Sequence, residues 1–274
     1  SAASDVYKRQ MVGRDLGVQF PKVNVQIGDP VLEVQHLTRK GQYEDISFKL
    51  HKGEILSFVG LVGAGRTELM HSIFGITKPD SGKILLNGQE VNFKNPKDAI
   101  EHGIAYVTED RKGEGLVLPM SVEKNITIAS LKSFVKKGFL QNKKEVEIVK
   151  QEIASLGIKV SRTSMDVKSL SGGNQQKVVL AKWMIARPNI LIFDEPTRGI
   201  DIGAKAEIYK LMDMLVKSGK SIIMISSETP ELLGMSDRVI VMHEGYQTGE
   251  FKCGELDQDK LMAYAIGEGG KYHQ

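Results

Sequence analysis

The sequence predicts an α/β fold: a mixed, mostly parallel sheet covered by helices, with an antiparallel β portion near the N-terminus and an inserted helical lobe. Three observations carry this expectation. The final third alternates short apolar runs, ILIFD, SIIMIS and VIVM, with helical patterns, which is how a parallel sheet buried on both faces is built. A further apolar run, Glu54–Val59, feeds into a glycine-rich loop that opens a helix. Between Val117 and Lys182 the apolar spacing turns helical, with Val146, Val149, Ile153 and Leu156 placed to face one side.

Taken in order, Ser1–Gln10 neither alternates nor repeats at helical spacing, and is expected to be disordered or an artefact of assembly. From Asp29 the chain reads as strand VLEV, a turn at Lys40 and Gly41, strand ISFKL, and strand EILSFV bounded by two glycines. A helix ends near Gly75. The segment PDSGKILLNGQEV then combines a turn signal at Asp80-Ser81-Gly82 with an Asn87-Gly88 hairpin turn, and strand IAYVT follows. After the helical lobe, Pro196 and Thr197 break the ILIFD strand. The sequence contains no internal repeat or low-complexity tract.

Its 274 residues suffice for one large α/β domain with a subsidiary lobe, or for two small domains. A hydrophobic fraction of 41% and a charged fraction of 26% are ordinary for a globular protein, and no apolar run approaches the roughly 18 residues of a membrane span. The net charge of +3 is too small to imply nucleic acid, and the lysines between Lys132 and Lys150 read as a solvated helix face. Cys253, the lone cysteine, excludes an intramolecular disulfide and a cysteine-based metal cluster, and suits a reducing cytoplasm. Ser1–Gln10 has no apolar core of a secretory signal.

Three segments carry chemistry. In Gly60-Leu61-Val62-Gly63-Ala64-Gly65-Arg66-Thr67, glycines let backbone N–H groups turn toward an anion, the helix starting near Arg66 adds its positive end, and Thr67 is placed to put a hydroxyl on Mg²⁺. An ordinary strand-to-helix turn would also carry such glycines. The run ILIFDEP ends in Asp194 and Glu195, a carboxylate pair at a buried strand end, suited to metal holding by Asp194 and to polarising an attacking water by Glu195; a capping acidic pair is the plainer alternative. The most specific is Leu170-Ser171-Gly172-Gly173-Asn174-Gln175-Gln176, followed by a helix through Val178, Leu180, Ala181 and Met184. Unhindered backbone donors, a hydroxyl and a helix dipole converge there as a second anion site, where a simple serine N-cap would be the bland reading.

LSGGNQQ resembles the signature motif of ATP-binding cassette (ABC) proteins, GLVGAGRT their Walker A loop, and ILIFDEP their Walker B strand, in the family's order. DEPTRGID resembles Walker B running into the D-loop, ending at Asp201. The similarity spans about Val31 to Gly267. It implies a P-loop NTPase fold of ABC type, with ATP and Mg²⁺ as cofactors. On the matching positions, Gly60, Gly63, Gly65, Arg66, Thr67, Glu109, Ser171, Gly172, Gly173, Gln175 and Asp201 would contact nucleotide; Thr67, Glu109 and Asp194 would serve the metal; Glu195 and Ser227 would be catalytic. In the family two such domains meet head to tail, each ATP lying between the Walker A loop of one and the signature of the other. GAGRTEL, TEDRKGEGLVLPMSV, DEPTRGIDIGAK and SSETPELLGMSDRVIVMHEG resemble the C-terminal half of ATPase subunits of ribose-, galactose- and xylose-type importers, and MVGR at Met11–Arg14 the end of the preceding half.

Four positions depart from the family's catalytic pattern. Arg66 replaces the loop lysine with a broad planar fork. Glu68 brings a carboxylate toward polyphosphate. Glu109 stands for the Q-loop glutamine and Ser227 for the switch histidine. Tyr43 is the nearest aromatic candidate for adenine stacking. The resemblance therefore implies a bacterial monosaccharide importer's energy-coupling ATPase with a weak or inactive site of its own and a signature acting in trans. Its expected partners are an N-terminal ABC half of the same subunit or a second ABC subunit, permease subunits facing Glu109 to Val122, and indirectly a periplasmic or extracellular sugar-binding protein. It would sit peripherally on the cytoplasmic face of the cell membrane, without nucleic acid. The expected division is a leader and remnant over 1–28, an ABC domain over 29–267 with its helical lobe at about 117–182, and a tail over 268–274. A non-hydrolysing regulatory module is the competing class. An ABC ATPase of ribosomes or DNA would favour a long basic linker or a coiled-coil insertion, and neither is present.

Overall fold

The computed structural model describes residues 20–22 and 25–269; the segments Ser1–Gln10 and Met11–Arg14 and the last five residues of the tail lie outside them. Strands β1 (Pro30–Arg39) and β2 (Tyr43–His51) bury Leu32 and Val34 against Leu50 and Phe48, their antiparallel partners. β4 (Ser81–Leu86) adds to the other edge of β1 and β5 (Gln89–Val91) closes the four-stranded order β2-β1-β4-β5. Asn87 and Gly88, both at positive φ (48° and 79°), make the expected hairpin turn between paired Leu86 and Gln89. Ser81 and Gly82, expected as a turn, instead open β4: Ser81 pairs with Thr38, and only Asp80 stays outside, its carboxylate accepting the Lys40 N–H at 2.7 Å.

The second sheet has the order β12-β11-β3-β10-β9-β6, from β3 (Ile55–Val59), β6 (Ile104–Val107), β9 (Ile190–Asp194), β10 (Ser221–Ile225), β11 (Arg238–His243) and β12 (Tyr246–Lys252). All its pairs are parallel except β11 with β12. β3, β6, β9 and β10 are buried at every position, which explains why they read as continuous apolar runs. Each fully buried Ile, Leu or Val is worth about 1.5–3 kcal/mol over exposure. Helices α1 (Arg66–Ile73), α2 (Pro96–Glu101), α6 (Ile202–Lys217), α7 (Thr229–Met235) and α8 (Gln258–Ala265) accompany the strands, and α3 (Val122–Thr127), α4 (Asn142–Ser155) and α5 (Gly172–Met184) form the lobe inserted between β6 and β9. The carboxyl ends of β3, β9 and β10 lie side by side, the place where parallel sheets present ligand-binding loops.

Within the lobe, α4 buries Val149, and Leu156 at its C-cap is buried too, with Val146 and Ile153 half-buried, as the spacing predicts. The same face buries Glu145, whose carboxylate accepts from Lys124 Nζ (3.1 and 3.2 Å) and Thr127 Oγ1 (2.7 Å), so the buried charge is paired and hydrogen-bonded. The helical reading fails over Val135–Leu140. There β7 (Val135–Lys136) and β8 (Phe139–Leu140) form a hairpin whose turn residues, Lys137 and Gly138, take φ of 51° and 82°, which no α-helix accommodates. The lysines from Lys132 onward are therefore divided between a 3₁₀ turn (Ile128–Phe134), the hairpin and α4, and do not form a single helix face.

Candidate functional site

The loop between β3 and α1 is shaped by close packing. A Cβ on Gly60 would lie 2.3 Å from the Met242 carbonyl oxygen, and one on Gly65, at φ 88°, would lie 2.4 Å from that of Gln42, so only glycine fits either place. Val62 is fully exposed and Gly63 faces open space. Helix α1 starts with no side-chain cap, which leaves its first N–H groups for an incoming anion.

Beside this loop, β9 delivers Asp194, 1% exposed. Its Oδ2 accepts the Tyr106 hydroxyl at 2.6 Å, while Oδ1 is buried without a hydrogen-bond partner among the described residues. Burial raises the Asp194 pKa, opposed by the Tyr106 and Thr67 hydroxyls and by His71 and Arg66. A buried carboxylate with one orphaned oxygen, beside a threonine hydroxyl, is a donor set that suits a hard divalent cation. Glu195 takes the left-handed conformation (φ 46°), its N–H bonded to the Ile225 carbonyl at 2.9 Å, and its Oε2 accepts the Ser227 hydroxyl at 3.1 Å. Burial raises its pKa, and Ser227 and Arg66 pull it back. Arg66 donates to the Ser226 carbonyl at 3.4 Å; burial lowers its pKa, and Glu195, Asp194 and Glu68 favour its charge. The structure thus brings together Gly60, Gly63, Gly65, Arg66, Thr67, Asp194, Glu195 and Ser227.

A cavity of about 750 Å³ adjoins Gly63, lined among others by Lys40, Gln42, Tyr43, Glu44 and Tyr246. Tyr43 is 2% exposed, so its ring is committed to the core and offers no stacking face. Tyr246 is 43% exposed, with its hydroxyl on Glu44 at 2.7 Å; sequence reasoning missed it because it enters from β12, some 200 residues downstream.

A second cluster surrounds the start of α5. Ser171 is the N-cap residue, but its hydroxyl accepts from Asn174 Nδ2 (3.0 Å) and leaves the helix N–H groups uncapped. A Cβ on Gly172 would sit 2.8 Å from Arg111 Nη2 and 3.2 Å from the Gly199 carbonyl oxygen, and one on Gly173 2.5 Å from Ala204 Cβ. The Arg111 guanidinium donates to the carbonyls of Arg198 (2.7 Å) and Gly199 (3.0 Å). Glu109, expected at the nucleotide and the metal, is ion-paired with Arg198 of the turn following β9. Gln175, expected at nucleotide, is 4% exposed and donates to the Val167 carbonyl at 3.3 Å, because it falls on the buried face of α5. Asp201 caps α6, accepting the Ala204 N–H at 3.0 Å.

A glycine loop at a helix start, an acidic strand end beside it and a second glycine-rich helix start after an inserted lobe define an ATP-binding cassette. The ABC transporter family model matches residues 43–198, and the chain belongs to that family. In particular, it is 52% identical to the ribose import ATP-binding protein RbsA of Oceanobacillus iheyensis over 262 residues, 96% of this chain and 53% of that protein. It is 48% identical to the protein of the same name from Bacillus subtilis over 263 residues, again 96% and 53%. The chain spans about half the length of the curated relatives it matches. The fold matches a nucleotide-free ATP-binding cassette from an ABC transporter with a TM-score of 0.73 at 20% identity, covering 87% of this chain and 100% of that one. Clostridium perfringens cbiO1, part of the cbiONQ ABC transporter complex, gives 0.72 at 24% identity, over 87% and 94%.

Proposed function

We propose that the chain is the C-terminal ATP-binding half of a monosaccharide importer's energy-coupling subunit, with a degenerate nucleotide site of its own and a signature, Ser171–Gly173, that completes the site of a partner half. The observation that carries this reading is the setting of Arg66. Its guanidinium is bonded to the Ser226 carbonyl and held among Glu195, Asp194 and Glu68, so it is drawn into the protein's own carboxylates where a phosphate-reaching cation is needed. Ser227, in turn, is bound to Glu195 and is too short to reach a terminal phosphate. Thr67 and Asp194 would hold Mg²⁺, which when bound neutralises phosphate charge; the cavity beside Gly63 would take the nucleoside, with Tyr246 as its exposed ring. Ser171, Gly172 and Gly173 would offer uncapped N–H groups and a hydroxyl to the nucleotide of the other half. Residues Glu109–Val122 would face the permease on the cytoplasmic side of the membrane, and a sugar-binding protein would act through that permease. The names of the relatives, ribose import ATP-binding proteins, support the choice of substrate class.

The test is an asymmetry in the full-length subunit assembled with its permease. Gly172→Asp places a carboxylate at the partner's phosphates and lowers hydrolysis and transport about 100- to 1,000-fold, the usual cost of losing preorganised donors to phosphate charge. Because a Cβ at Gly172 also crowds Arg111, Ser171→Ala is run beside it; among the described residues its side chain bonds only Asn174, and it lowers turnover in the same direction. Glu195→Gln has a much smaller effect. Equal damage from Glu195→Gln in folded, assembled protein makes the local site catalytic and overturns the assignment.

A further inference from the structure

The β7–β8 hairpin has no part in the nucleotide chemistry, yet it concentrates two features that a globular surface keeps apart. Ile128, Leu131, Val135, Phe139 and Leu140 are all exposed, Phe139 at 80%. Residues 131–144 carry five lysines and no aspartate or glutamate. The side-chain ammonium groups of Lys132, Lys136, Lys137, Lys143 and Lys144 make no ion pair or hydrogen bond among the described residues, whereas that of the neighbouring Lys124 is paired with Glu145.

The hairpin is held in place from below. Phe134 is fully buried at its foot, and the Gln141 N–H donates to the Phe134 carbonyl at 2.8 Å. Directly opposed residues share a face, so Val135 and Leu140 occupy one side and Lys136 and Phe139 the other. Apolar groups therefore stand on both faces of a protruding two-stranded ribbon, with ammonium groups around them. A protein partner would need a cleft around the ribbon to cover both faces. A fluid headgroup layer surrounds both, accepting aromatic and aliphatic groups while lysines reach lipid phosphates. From this arrangement we infer that the hairpin is a direct contact with an anionic bilayer surface, anchored by Phe139 and steered by the five lysines. The inference is independent of which half hydrolyses ATP.

The experiment is co-sedimentation of the full chain with phosphatidylcholine vesicles prepared with and without phosphatidylglycerol. Binding is expected only to the anionic vesicles and is lost at high salt. Lys136→Glu combined with Lys137→Glu weakens it at least about tenfold, since each surface lysine is worth several-fold in affinity. Phe139→Ser, at a solvent-facing position that leaves the circular dichroism spectrum unchanged, weakens it about threefold or more. The inference is overturned if the chain ignores both vesicles at low salt, binds neutral and anionic vesicles alike, or binds anionic vesicles unaffected by these substitutions. It is equally overturned if the substitutions impair only assembly with detergent-solubilised permease, which would make the occupant a protein.

Discussion

Glu231 shows what a single residue contributes near the site without touching it. It is 1% exposed on α7, accepts the Ser226 hydroxyl and the Thr197 hydroxyl (3.2 and 3.4 Å), and lies by the buried Tyr209 and the Lys205–Glu228 pair. Thr197 follows the acidic strand end and Ser226 precedes Ser227, so one carboxyl ties both loops. Burial, reinforced by Glu228, pushes its pKa from 4.5 to about 7, against the pull of Ser226, Thr197 and Lys205. The fold therefore takes up a proton that the unfolded chain releases at lower pH. The stability Glu231 contributes is complete below pH 4.5 and is lost as pH rises through 7. Glu231→Gln should remove that slope: between pH 5 and 8 the parent loses about 2–3 kcal/mol that the variant does not, read from urea unfolding at several pH values.

At the scale of elements, Asn125 closes the entry to the helical lobe. It is 1% exposed, accepts the Val117 N–H at 2.8 Å, and donates to the carbonyls of Val117, Met120 and Ser121 at 3.0–3.3 Å. Asn125→Ala strands these groups and should cost about 2–4 kcal/mol in chemical unfolding, with faster amide exchange at Val117. The contrast between such contacts and the strands explains what the sequence could reveal. The glycine loop, the Asn87-Gly88 turn, the Asp194–Glu195 strand end and the Ser171–Gly173 helix start are local, and each was legible in a window of a few residues. The hairpin at Val135–Leu140 was not, because two-residue strands leave no alternation to detect. Nor were Tyr106 on Asp194, Arg111 on Gly199 or Glu231 on Thr197, since these partners lie 34 to 88 residues apart and meet only through the sheet order.

At the scale of the whole molecule, the two glycine-rich helix starts belong to separate side-chain clusters of one chain. One gathers Arg66, Asp194, Glu195 and Ser227, and the other Arg111, Gly199 and Ala204. The chain alone would then offer a loop without a working cation and a signature without a nucleotide opposite it. Phosphate release by the purified chain with Mg-ATP should be negligible and indistinguishable from that of its Glu195→Gln variant. Sustained turnover that this substitution abolishes would refute the division of labour proposed above.

The Arg111 guanidinium adds a consequence for motion. It is planar and grips two successive carbonyls, Arg198 and Gly199, with separate nitrogens, so it fixes that turn in rotation as well as in position. Gly172 lies against the Arg111 guanidinium and the Gly199 carbonyl. Displacing the Arg111–Gly115 segment is therefore expected to carry the turn after β9 and the head of α5 with it, since the guanidinium touches both.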